Sequence, residues 1–164
     1  MRAEHVAFMG RAKDRSFRGP LGGGGLHVLF PATQTSVRRA LSTAMSALRG
    51  FGVDDDTRAT AEIVLAEALN NVVEHAYEDR GHGIIELEAW RDGRILRFRL
   101  RDDGLPMPGN VIPERLPSDI LIGTADLPEG GFGWSLIRDL TVDLAYHRDG
   151  TRNELCFGLS MSPV

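Results

Sequence analysis

The chain is 164 residues long, and its 42% hydrophobic and 26% charged composition is that of one folded domain with a core of its own. A formal charge of -4 excludes a general binder of phosphate backbones, so no nucleic-acid partner is expected. The single cysteine, Cys156, excludes an internal disulfide and any cysteine metal pattern; without a ~20-residue apolar run or a signal-peptide core, a cytoplasmic protein with no membrane partner is expected.

Residues 1–25 mix charge with glycine and end in Leu21-Gly22-Gly23-Gly24-Gly25, which reads as a flexible leader before a single domain over 26–164. Leu26 to Phe30, stopped by Pro31, reads as a strand. From Thr33 to Arg49 apolar residues recur at Val37, Ala40, Leu41, Ala44, Met45 and Leu48, the spacing of one helical face, and Gly50 closes it. Asp54, Asp55 and Asp56 then offer an N-cap and favourable first-turn charge to a helix expected from Thr57 to Tyr77. On it Leu65, Leu69, Val72, Val73 and Ala76 share one face, while Glu67, Asn71 and His75 climb the opposite one. The pair Asn70-Asn71 is a poor choice for a helix interior. Glu67 and Asn71, one turn apart, make a compact set of oxygens of the kind magnesium accepts.

Beyond Gly81 the period changes to two. Ile85, Leu87 and Ala89 alternate with Glu86, Glu88 and Trp90, and Leu96, Phe98 and Leu100 alternate with Arg97, Arg99 and Arg101, with Asp92-Gly93 as a hairpin signal between them. One sheet face should carry the helices and the other should meet water, with glutamates and arginines paired across it. The stretch from Gly104 to Gly131 loses periodicity and holds five prolines, the mark of a lid or binding loop. Trp134 to Leu140 reads as a short helix, and Val142 to His147 and Leu155 to Met161 as a last strand pair around Asp149-Gly150.

Two small motifs bracket the irregular stretch. Asp102-Asp103-Gly104 ends a strand, where a buried aspartate accepts an exocyclic amino group such as adenine presents. Gly130-Gly131-Phe132-Gly133 opens a helix, where backbone amides and the helix dipole favour a phosphate. The rival cradles are missing: no GxxxxGK[ST] occurs, Lys13 is the only lysine, and no GxGxxG follows an early strand.

In that order, EALNNVVEHAY, RLRDDGLPMP, an irregular stretch, PEGGFGWSLIRDL and the ending DGTRNELCF resemble the GHKL (gyrase, Hsp90, histidine kinase, MutL) ATP-binding superfamily over roughly Leu26 to Leu159. The details are most similar to its RsbW-like anti-sigma-factor serine kinases. The resemblance implies an α+β fold: a two-layer sandwich of a mixed, mostly antiparallel sheet with helices on one face, and an ATP lid at about 105–130. It implies a protein serine kinase using ATP and Mg2+, with Glu67 as general base, Asn71 as magnesium ligand and Asp102 as adenine acceptor. Gly104 would let the base approach, and Gly131 and Gly133 would present amides to the phosphates. Arg39 falls where the family contacts its partner, with Arg38 a close rival, and His75 is read as a packing residue near the site. The implied partners are a STAS-domain antagonist, which is phosphorylated, a sigma factor or equivalent target, which is sequestered, and a second copy of the chain in a homodimer. A nucleotide-sensing binding module without turnover is the alternative. Phe132 and Trp134, bulkier than usual in the second glycine motif, and Met107-Pro108, in place of Phe-Asp-Pro, depart from the family pattern.

Overall fold

The computed structural model describes residues 24–113 and 131–161; most of the leader and residues 114–130 of the expected lid lie outside them. Its elements run β1 (Gly25–Pro31), α1 (Gln34–Gly50), α2 (Asp55–Asn71), a π-helical turn (Val72–Ala76), β2 (Ile84–Asp92), β3 (Ile95–Asp102), a 3-10 turn (Pro108–Asn110), α3 (Gly131–Leu140), β4 (Val142–Asp149) and β5 (Arg152–Ser160). The strands form one sheet in the order β1-β2-β3-β5-β4 with every neighbour antiparallel, the antiparallel extreme of the expected sheet. The turn between β2 and β3 is tight because Gly93 takes φ +61°, as the Asp-Gly signal requires.

Period-2 alternation places Ile85, Leu87 and Ala89 on the same face as Leu96, Phe98, Leu100, Leu155, Phe157 and Leu159, all buried. Phe98 and Phe157, opposed in register, stack with centroids 5.2 Å apart. Val37, Ala40, Ala44 and Leu48 of α1, with Ala61, Val64, Leu65, Ala68 and Leu69 of α2, complete this core, and Trp134 and Ile137 of α3 join it. Thr33 caps α1 and Asp54 caps α2 through side-chain oxygens that accept amides three residues on, each cap stabilising its helix by ~1 kcal/mol. Helices on one face of a sheet are the α+β sandwich that the periodicities imply.

The opposite face departs from the expectation of a wet surface. Arg97 and Arg99 are only 4% and 8% exposed, and Trp90 and Cys156 beside them are buried too. Arginines and acids alternate across the strands here. Arg101 lies between Glu154 at 2.8 Å, Glu88 at 3.3 Å and Glu86 at 3.4 Å, Arg97 pairs with Asp143 at 2.6 Å, and Arg99 lies 5.1 Å over the Trp90 ring. Burial pushes the Glu86 carboxyl up, but the His27 hydrogen bond and the Arg101 and Arg152 charges outweigh it and hold it below its usual range. His27, Glu86 and Glu88 bring possible metal-ligand atoms within 4.8 Å of one another, yet guanidiniums already neutralise both carboxylates. Burial and the Glu154 carboxylate push the Cys156 thiol up to about 12, outweighing the Arg99 and Arg101 charges that lower it, which disfavours the reactive thiolate.

The expected helix to Tyr77 ends early. Its α-helical part stops at Asn71, and the β-branched pair Val72-Val73 enters a turn in which the Tyr77 amide reaches back five residues to the Val72 carbonyl at 3.1 Å. Glu78 and Asp79, both at positive φ, then turn the chain away. No helix among the described residues is long and apolar enough to cross a membrane.

Candidate active site

The wider π turn alters what the polar stripe presents. Glu67 and Asn71, still in α-helical register one turn apart, are half-buried beneath α3, whereas His75 is carried out to an exposed position. The turn also leaves the Ala76 carbonyl to accept the Leu105 amide at 2.9 Å, stitching the end of this helix to the loop after β3.

Two glycines make the remaining contacts possible. A Cβ at Gly133, in the first turn of α3, would sit 2.7 Å from Glu67 Oε2 and 3.8 Å from Asn71 Nδ2. Without a Cβ, Gly133 lets that turn lie directly on the Glu67 carboxylate and beside the Asn71 amide with the Glu67 side chain undisplaced. A Cβ at Gly104 would sit 2.6 Å from the Ala76 carbonyl oxygen. The segment Glu67 to Ala76 therefore touches the second glycine motif at one end and the Asp-x-Gly motif at the other, so three stretches far apart in sequence meet along one helix. α3 is described from Gly131, so the glycine motif expected to open a helix is continuous with the helix expected at Trp134, and amides in the first turn of a helix have no intrahelical acceptor.

Asp102 closes the inward column Leu96, Phe98, Leu100, which places a carboxylate where the core ends; it is 7% exposed. Its Oδ1 accepts the Gly104 amide at 2.9 Å and Asn153 Nδ2 at 2.7 Å. Burial pushes its pKa above the ordinary carboxylate value and Asp103 adds to this, against the hydrogen bonds from Asn153 and Gly104 and the Arg148 charge. Hydroxyls of two tyrosines hold the loop that follows: Tyr77 accepts the Asp103 amide at 3.0 Å, and Tyr146 accepts the Met107 amide at 3.1 Å. Arg138 of α3 donates to the carbonyls of Ile112 at 2.9 Å and Pro113 at 2.8 Å, joining the first part of the irregular stretch to the helix after it.

With this geometry in place, the chain matches the model of the histidine kinase-like ATPase domain over residues 30–159. It belongs to that family. It is 30% identical over 120 residues, 72% of each chain, to a serine-protein kinase RsbW of Bacillus cereus. It is 22% identical over 120 residues to the anti-sigma F factor of Bacillus licheniformis, covering 73% of this chain and 80% of that one. The fold is similar to a structure of RsbU and RsbW domains from Mycobacterium tuberculosis, with a TM-score of 0.58, 15% identity, and 85% of this chain matched to 32% of that chain.

For a nucleotide with its magnesium ion, the candidate protein ligand among these residues is the Asn71 side chain. Its Nδ2 is a buried donor without a hydrogen-bond partner, which suits an acceptor such as a phosphate oxygen, while its amide oxygen is the atom a metal ion would take. An amide oxygen that brings one ligand, with phosphate oxygens and waters supplying the others, is a set magnesium accepts.

Motif reading assigns no role to Tyr77, Arg138, Tyr146, Arg148 or Asn153, although Asn153 carries a legible signal. It interrupts the apolar column Leu155, Phe157, Leu159 at the inward period of β5, directly opposite Asp102 in register. Gly104 supplies a direct test of the convergence. Because the atoms a Cβ would meet at Gly104 are mostly Ala76 backbone, Gly104→Ala is expected to cost about 1–3 kcal/mol of stability. It should weaken ATP binding in parallel; a denaturant midpoint equal to wild type would show that the two segments do not press together.

Proposed function

We propose that this chain is an ATP-dependent protein serine kinase that works as a partner-switching regulator. It phosphorylates a serine on a STAS-domain antagonist and sequesters a sigma factor or equivalent target. The observation that carries the reading is the meeting of three motifs along Glu67 to Ala76, with Gly133 at one end and Gly104 at the other. The names of the relatives, a serine-protein kinase and an anti-sigma factor, supply the class of acceptor and target.

In this reading Asp102 accepts the adenine amino group while Gly104 brings the backbone close to the base. Gly131 and Gly133 offer amides at the head of α3 to the phosphates. Glu67, held against that turn, orients the attacking serine hydroxyl and takes its proton as the phosphoryl group moves. Asn71 would hold the magnesium ion, which when bound neutralises phosphate charge. The irregular stretch at about 105–130 is the lid, and the domain extends over 26–164.

The partner surface lies on α1. Arg39 is exposed there, and its neighbour Arg38 lines a shallow groove of about 590 Å³ with Leu41, Met45, Arg49 and Glu62. Self-association into a homodimer belongs to the same reading. The reading is tested by incubating the chain with ATP, magnesium and its cognate STAS-domain protein: phosphoserine on that protein, located by mass spectrometry, is the expected product. Absence of transfer by a chain that demonstrably binds ATP would falsify the kinase role and leave a nucleotide-sensing binding module.

A further inference from the structure

Asn153 is 4% exposed, and its carboxamide is engaged on both sides. Nδ2 donates to Asp102 Oδ1 at 2.7 Å and to the Leu105 carbonyl at 3.1 Å, with the Gly104 carbonyl further off at 3.4 Å. Oδ1 accepts the Tyr146 hydroxyl at 2.6 Å and Arg148 at 2.5 Å. Two donors on the oxygen fix the orientation of the amide: a half-turn would set its NH2 against a hydroxyl donor and a guanidinium, and its oxygen against a carboxylate. The nitrogen is thus compelled to face Asp102. The Gly104 amide at 2.9 Å takes a second lone pair of the same Asp102 oxygen. Both acceptor directions of Oδ1 are then used, while no donor among the described residues reaches Oδ2.

We propose that Asn153 is the positioning residue for base selection: it pins Asp102 by one oxygen so that the other is presented purely as an acceptor. The site then prefers a purine that bears an amino group at carbon 6 over one that bears a keto oxygen there. This rests on the assignment of Asp102 to the base in the proposed function. Arg148 and Tyr146 belong to the device as the groups that set the Asn153 amide. Arg148 also donates to the Gly104 carbonyl at 3.1 Å, so the same cluster holds the loop that approaches the base.

The test compares ATP with inosine triphosphate by calorimetric titration of wild type, N153A and N153D. Inosine triphosphate differs at carbon 6, where it carries an acceptor in place of the amino donor. Wild type is expected to prefer ATP by ~100-fold or more, because a site built around a hydrogen bond rejects the ligand that lacks it. In both variants ATP affinity should fall by about tenfold or more while inosine triphosphate changes by less than about threefold, so the preference collapses. N153D preserves the side-chain volume and replaces the donor with an acceptor, so the comparison stands even where the alanine variant fails to fold. Parallel weakening of both nucleotides, with the preference intact, would reduce Asn153 to a structural residue and overturn the proposal. Equal binding of the two nucleotides by wild type would instead overturn the assignment of Asp102 itself, and the role of Asn153 with it.

Discussion

Glu67→Ala is expected to lower phosphoryl transfer to the STAS-domain protein by about 10²–10⁴-fold, the usual contribution of a positioned general base. ATP affinity should change by less than about threefold, because the groups assigned to the base and phosphates lie elsewhere. The physical ground is the placement of the carboxylate: it stands one turn from Asn71 and against Gly133, the residues that the proposed function gives to the metal and the phosphates. Glu67→Gln keeps the shape and one acceptor oxygen but removes the basicity, and should be nearly as impaired. A single-turnover transfer assay beside a nucleotide titration separates the two effects. Retained transfer in both variants would assign the proton to another acceptor. Coincident loss of ATP binding would instead make Glu67 a binding residue.

The contrast between what the sequence discloses and what it conceals follows the range of the interactions. Alternation in β2 and β3 and the cap at Asp54 are local signals, and the sheet and the start of α2 follow from them. Asp102 is legible only jointly: an acid followed by glycine closes many strands, and it is the glycine-rich helix start further along the chain that gives this one a chemical reading. The π turn is not legible, because two valines after two asparagines lower helix propensity without saying which alternative bonding takes over. The burial of Arg97 and Arg99 is hidden in the sequence for a related reason: alternation tells which face a residue is on, not whether that face is open to water. Tyr77 and Tyr146 act through partners tens of residues away, which no local pattern encodes; Asn153 is marked locally as a polar residue in an apolar column, but its bond to Asp102 spans 51 positions.

Asp102→Asn separates function from stability most sharply. The carbonyl oxygen of the new amide can still accept from Gly104 and Asn153, so the internal contacts survive. Its other atom becomes an NH2, a donor aimed at the donor of the base, and ATP affinity should fall by ~100-fold or more. Stability moves the other way. Burial, the largest cause, raises the Asp102 pKa in the folded state above the unfolded value, so the native protein binds the proton more tightly. At neutral pH the group is ionised and its desolvation opposes folding; as pH falls through the raised folded pKa that penalty is relieved, and below the unfolded value of 3.8 it is gone. The neutral amide never bears it. The variant should therefore melt above wild type at neutral pH, by about 2–4 °C for each kcal/mol relieved, with the advantage shrinking on acidification. Wild-type ATP binding should weaken over the same acidic window as Asp102 takes up its proton, while the residual binding of the variant lacks that step. Thermal melts and titrations at neutral and mildly acidic pH measure both quantities. A variant that is less stable than wild type yet binds ATP equally well would remove Asp102 from the site and leave it a structural carboxylate.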